Sequence, residues 1–179
     1  MAFRIGVNMS VSTKQVDRRE CRFDTLAELS NELDTIEQAH ALGNLRHSGN
    51  WSVGMIFEHV AKAFEMSIDG FPGRARLPLR IIISALLKKR LLRGENFPAG
   101  IKAPPKFLIT GDPSAVMPSE STSFDQGLER LRDVIKRIEQ GAKLTQPNPV
   151  FGKLSHDESV LIQLRHAGLH LGFIHTNTA

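Results

Sequence analysis

The sequence predicts an all-α fold, a four-helix bundle with a long crossover between its second and third strong helices. Three observations carry this. Four stretches repeat apolar residues at intervals of three and four, three of them open on a capping-box signal, and no segment alternates apolar and polar residues between hairpin turns. At 179 residues the chain is long enough for one domain with a substantial core.

The first helix lies in "FDTLAELSNELDTIEQAHALG", where Leu26, Leu29, Leu33, Ile36 and His40 share a face. Thr25 with Glu28 three residues on marks its start, and Gly43 lies just past its end. The second runs through "WSVGMIFEHVAKAFEMSIDGFPG", with Ile56, His59, Val60, Ala63 and Ser67 on one side and "DGFPG" as the stop. About fifty residues then carry a basic apolar segment, "LPLRIIISALLKKRLLRG", and a Pro/Gly-rich stretch, "NFPAGIKAPPKFLITGDP". These predict a shorter helix and a long ordered loop, because two prolines break any strand in "IKAPPKFLI". The third strong helix, "SFDQGLERLRDVIKRIEQG", buries Phe124, Leu128, Leu131, Ile135 and Ile138, with Ser123 and Gln126 as its cap and Gly141 as its end. The last helix opens at Ser155 with Glu158 as its N3 partner and runs through "VLIQLRHAGLHLGFIH". Residues 1–20 read as a flexible N-terminal segment and residues 21–179 as a single domain.

Twenty-three basic against nineteen acidic residues give a net charge of +4, a modest excess that requires no nucleic-acid partner. One cysteine, Cys21, excludes an internal disulfide, a zinc ribbon and a redox pair, and reads as an inert thiol. The first twenty residues hold no continuous apolar run, and "IIISALL" is too short to span a bilayer, so the sequence predicts a soluble, cytoplasmic protein with no membrane span. "GNWSVG" follows no strand and is not a phosphate loop.

His166 and His170 stand four residues apart, so on a helix their rings stack on one face and can aim at one point. A metal needs at least one further protein ligand. His59 supplies a candidate, since a histidine in the apolar stripe of a helix is costly unless its ring is hydrogen-bonded or coordinated. One ligand from the second helix and a pair from the last close a triad of His59, His166 and His170, the kind of site that bundles build between facing helices. The bland alternative is three core histidines satisfied by ordinary hydrogen bonds. Trp51 reads as core packing at the start of the second helix, or as a wall of the metal pocket.

The stretches "GNWSVGMIFEHVAKAFEMSIDGFP", "PAGIKAPP" and "FGKLSHDESVLIQLRHAGLHLGFI" resemble the DinB-like superfamily, in particular its branch of uncharacterised bacterial domains, over about residues 20 to 175. The order of Trp, His on helix two and His-x-x-x-His on the last helix carries the resemblance. It implies an up-up-down-down bundle with a divalent metal held at one end by His59, His166 and His170. Members often carry an acidic residue and a further His inside the last motif, where this chain has Gly168 and Leu169. The candidates for supporting the ligands are then Gln163 and Glu58, although Glu58 otherwise reads as solvent-facing. His156 reads as a capping neighbour or surface residue and His175 as frayed, neither a ligand.

Members of known role are similar in using the metal to activate a low-molecular-weight thiol, which implies a thiol S-transferase type of enzyme acting on a small-molecule substrate. Neutral imidazoles suit Zn, Ni, Fe or Cu, with Zn, Ni or Fe the leading choices. Water in the open position would instead make a hydrolase, and a metal-free bundle would be a binding or stress-associated module. Bundles of this kind often pair through exposed helix faces, so a homodimer is one candidate assembly. Arg74, Arg76, Arg80, Lys88, Lys89, Arg90 and Arg93 form a basic stretch without acidic residues, read first as a solvated face and otherwise as a guide for an anionic substrate, a nucleic-acid contact or a lipid contact.

Overall fold

A computed structural model describes residues 15–75, 77–98 and 109–176. The start of the chain to residue 14, Arg76 of the basic stretch and residues 99–108 of the Pro/Gly-rich stretch lie outside the described residues. The protein is mostly helical. Its described elements are α1 (Leu26–Ala41), β1 (Leu45–His47), α2 (Val53–Asp69), β2 (Gly73–Ala75), α3 (Leu77–Ile83), a π-helical turn (Ser84–Lys88), α4 (Lys89–Leu92), β3 (Ile109–Gly111), a 3-10 helix (Pro113–Val116), α5 (Phe124–Glu139), α6 (His156–Leu171) and β4 (Ile174–Thr176).

The helices begin where local chemistry says they should. Thr25 with Glu28, Ser123 with Gln126 and Ser155 with Glu158 form complete capping boxes, and Ser52 caps α2 through the N–H of Met55. Leu29, Leu33 and Ile36 of α1, Ile56, Val60 and Phe64 of α2, Leu131 and Ile135 of α5, and Leu164 and Leu171 of α6 meet in one core. Each such side chain contributes roughly 1.5–3 kcal/mol by leaving water. His40, expected on the core face of α1, is exposed instead, and Ala39 takes the buried place. The His40 ring still stacks on Phe124, with centroids 3.8 Å apart.

The expectation of an all-α chain needs one correction. Among the described residues, four three-residue strands pair as two antiparallel ladders, β1 with β4 and β2 with β3. Their partners lie far apart in sequence, so neither makes the short-range hairpin signal by which strands are recognised. The β1–β4 ladder ties the turn after α1 to the end of α6, and buries His175 in the process.

Helix α2 packs most extensively against α5, and glycine makes this approach possible. A Cβ on Gly54 would overlap the Ser123 carbonyl, and one on Gly127 would overlap the Gly54 carbonyl oxygen. Helix α6 is buried nearly all round, and most of its polar groups are partnered, although Arg165 Nε and His166 Nδ1 are buried without a hydrogen bond. Gln163 donates to Ser67 Oγ at 2.9 Å, and the fully buried Arg165 donates to the Phe23 carbonyl at 2.6 Å and to Asp24. Ahead of residue 21, the Arg19 backbone N–H donates to the Gly172 carbonyl at 2.8 Å, and its guanidinium pairs with Glu32 at 2.5 Å.

Replacing Gly127 by Ala sets two effects of opposite sign against each other. Helix propensity alone favours Ala by about 0.8–1.0 kcal/mol. Steric overlap with Gly54 costs about 1–3 kcal/mol or more. The expected result is net destabilisation of Gly127→Ala in thermal or urea unfolding.

Candidate metal centre

The three histidines singled out in the sequence meet at one point. His59 comes from the middle of α2, and His166 and His170 from successive turns near the end of α6. His166 Nε2 stands 3.3 Å from His59 Nε2 and 3.0 Å from His170 Nε2, and the potential ligand atoms all lie within 4.8 Å of one another. Tetrahedral coordination with bonds of about 2.0–2.1 Å places ligand nitrogens about 3.3–3.4 Å apart. The His59–His166 edge matches what a single ion would need, and the His166–His170 edge is a few tenths of an ångström shorter.

Proton bookkeeping within the cluster points the same way. His59 Nδ1 lies 2.8 Å from the Val116 carbonyl, which can only accept, so a neutral His59 keeps its proton on Nδ1 and presents a bare lone pair at Nε2. His166 Nε2 then faces both neighbours with at most one proton of its own. If His170 donates to His166, two lone pairs oppose each other across the His59 contact. If His166 donates, one proton is shared between two acceptors. Three nitrogen lone pairs converge without conflict on a cation, which is the arrangement that a His59 ring held through its other nitrogen provides.

Aromatic rings wall the site. The Trp51 ring is stacked on His170 with centroids 5.5 Å apart and lies 4.8 Å from His59, and Phe97 meets His166 edge-on at 6.2 Å. The ring of Trp51 therefore both packs and borders the cluster. The edges of His166 and His170 keep some solvent contact, yet their rings sit deep in packed protein. Burial, then the neighbouring His59, lowers His166 to about 3, and burial holds His170 well below its ordinary value. Burial also lowers His59. All three are neutral at physiological pH, the protonation state a metal ligand requires.

The supporting shell differs from the one expected. Gln163 is turned away, its amide committed to Ser67. Glu58 is not solvent-facing but 7% exposed, and it does not touch the cluster. Burial raises its pKa, but hydrogen bonds from Thr122, Lys62 and the Ser119 N–H outweigh that and bring it to about 2. The partner that holds His59 is the Val116 carbonyl, a backbone atom with no signature in the sequence. Gly168, between the two α6 histidines, is explained by a close approach: a Cβ there would stand 2.5 Å from the Cys21 carbonyl oxygen. The acidic or imidazole side chains of the resembling motif have no room at that position.

The remaining candidates fall elsewhere. His156 begins α6 and accepts the Leu144 N–H at 3.1 Å. His175, expected to fray, is 6% exposed, with Nε2 3.2 Å from Ser48 Oγ. Cys21 is partly buried and its thiol is pushed up by burial, which makes it a poor nucleophile. In the basic stretch, Lys88 pairs with Glu158 at 3.1 Å and Arg90 with Glu95 at 2.6 Å, so part of its charge is neutralised within the fold. Among the described residues, no helix is long and apolar enough to cross a membrane.

A family model described as protein of unknown function, DUF1569, matches residues 15–177. No curated protein and no solved structure matches the chain.

The depressed histidines set the pH dependence of the metal-free protein. Below the unfolded value of 6.5 an unfolded histidine takes up a proton that native His166 refuses until about 3, so stability falls as pH drops through this window. Each such proton contributes a slope of about 1.4 kcal/mol per pH unit. Glu58 adds a second loss as pH falls from 4.5 toward 2. The melting temperature should decline from near pH 6.5 downward, and His166→Leu should flatten that decline; equal slopes in both proteins would contradict the assignment.

Proposed function

Because the chain belongs to the DUF1569 family, whose description names no activity, we propose a function from its own residues: it is a metal-dependent enzyme in which His59, His166 and His170 hold a divalent ion. The observation that carries this reading is the convergence of three neutral Nε2 atoms at 3.0 and 3.3 Å. Zn, Ni and Fe all suit such a set. The same reading makes the arrangement of α1, α2, α5 and α6 around one core a DinB-like four-helix bundle, with the segment between α2 and α5 as its crossover. It also gives the protein a small-molecule substrate.

The ligand set favours an activated anion at the open position. Three neutral imidazoles leave the charge of the ion uncompensated, and among the described residues no carboxylate joins the cluster. A bound divalent ion would supply Lewis acidity, holding a coordinated thiol or water in its deprotonated form at neutral pH. The protein contributes the rest. His59 is oriented by Val116, His166 and His170 are fixed one turn apart on a buried helix, and Trp51 and Phe97 shield the cluster with apolar surface. The resemblance to the DinB-like superfamily favours the thiol, and so a transferase that delivers a thiol to an electrophile.

Titrating the cobalt(II)-loaded protein with cysteine separates the two chemistries. A thiol-activating centre gains a near-ultraviolet sulfur-to-cobalt charge-transfer band that is absent from His170→Ala. Absence of the band, together with thiol-independent hydrolysis of an activated ester, would replace the transferase with a hydrolase.

A further inference from the structure

One turn of α2 grips the end of the 3-10 helix and the segment that follows it at three successive points. His59 Nδ1 donates to the Val116 carbonyl at 2.8 Å, Lys62 Nζ donates to the Met117 carbonyl at 2.7 Å, and the Ser119 N–H donates to Glu58 Oε2 at 2.7 Å. Thr122 Oγ1 gives the same carboxylate oxygen a second bond at 2.6 Å. The other oxygen of Glu58 takes Lys62 at 2.9 Å and Arg130 at 3.2 Å. Arg130 is itself held by both oxygens of Glu65, at 2.8 and 2.6 Å.

A carboxylate has about four acceptor sites, and Glu58 has four donors on them. Two come from the segment that carries Val116, one from Lys62, which also binds that segment, and one from α5. Among the described residues, these bonds tie the segment that carries the Val116 carbonyl to α2. We propose that Glu58 is a positioning residue for the metal centre: it holds residues 116–122 against α2 so that the Val116 carbonyl fixes His59 with Nδ1 protonated and Nε2 free to coordinate. This rests on the metal-centre reading above, but the orientation of His59 exists with or without an ion.

Glu58→Gln tests it, because an amide keeps the shape while turning two acceptor sites into donors. Whichever way the amide faces, its N–H group meets at least one group that can only donate, either the Ser119 N–H or Lys62 and Arg130. The first readout is the His59 tautomer in metal-free protein, from nitrogen-15 NMR of the imidazoles. Wild type should show a single Nδ1–H form, and Glu58→Gln a mixture, with His175 unchanged as an internal control. The second is zinc affinity, which should fall about tenfold to a hundredfold.

Thr122→Val removes one bond from the loop side at nearly constant volume, and should move both readouts in the same direction by less. It decides the matter if Glu58→Gln does not fold. Folded variants with the wild-type tautomer and wild-type zinc affinity would overturn the assignment. A wild type that binds no zinc would remove the metal reading alone, since the tautomer comparison would still support or refute the positioning role.

Discussion

Two imidazole nitrogens, those of His59 and His170, within 3.3 Å of a third, His166 Nε2, and with too few protons among them to satisfy one another, are the constraint around which this structure is arranged. A buried histidine elsewhere in this fold settles with an ordinary partner, as His175 does beside the Ser48 hydroxyl. Here the Val116 carbonyl removes the one choice that would relieve the cluster, by keeping the His59 proton on the far side of the ring. The energetic stake is considerable, because a buried polar group left unpaired costs about 1–3 kcal/mol.

Two features of the backbone make the convergence possible. The glycine contact between Gly54 and Gly127 lets α5 approach α2 at its first turn, which brings the segment from Val116 to Ser123 across the face of α2. On the other side, Gly168 lets the chain around Cys21 lie flat on α6 between the two histidines. Arg165, one residue before His166, locks that same strap by its bonds to Phe23 and Asp24. A buried guanidinium is weak evidence for net stability, because its desolvation offsets much of its pairing. Its role here is positional, fixing the register of the strap against α6. Surface pairs such as Arg137 with Asp69 add at most about 1 kcal/mol each and do not determine the arrangement.

What the sequence showed was local. Helix starts were legible because Thr25 with Glu28 and Ser155 with Glu158 satisfy their own backbone N–H groups within one turn. The histidine triad was legible because spacing along α6 and an apolar stripe on α2 are also local patterns. The failures are all at long range. Glu58 looked solvent-facing until the chain returned after more than fifty residues to cover it with Ser119 and Thr122. His175 looked frayed because its pairing partner is β1, far back in the sequence. His40 obeyed the periodicity yet lies outside, on Phe124, because α1 presents Ala39 to the core. A backbone carbonyl such as that of Val116 has no sequence signal at all.

The most direct test of the metal centre is elemental analysis of protein purified without a histidine tag, beside His59→Ala and His166→Ala variants whose folding is checked by circular dichroism. The account predicts about one divalent metal per wild-type chain, retained through dialysis and lost from both folded variants. A wild type that holds no metal after incubation with zinc, nickel and iron, or variants that keep theirs, would contradict it.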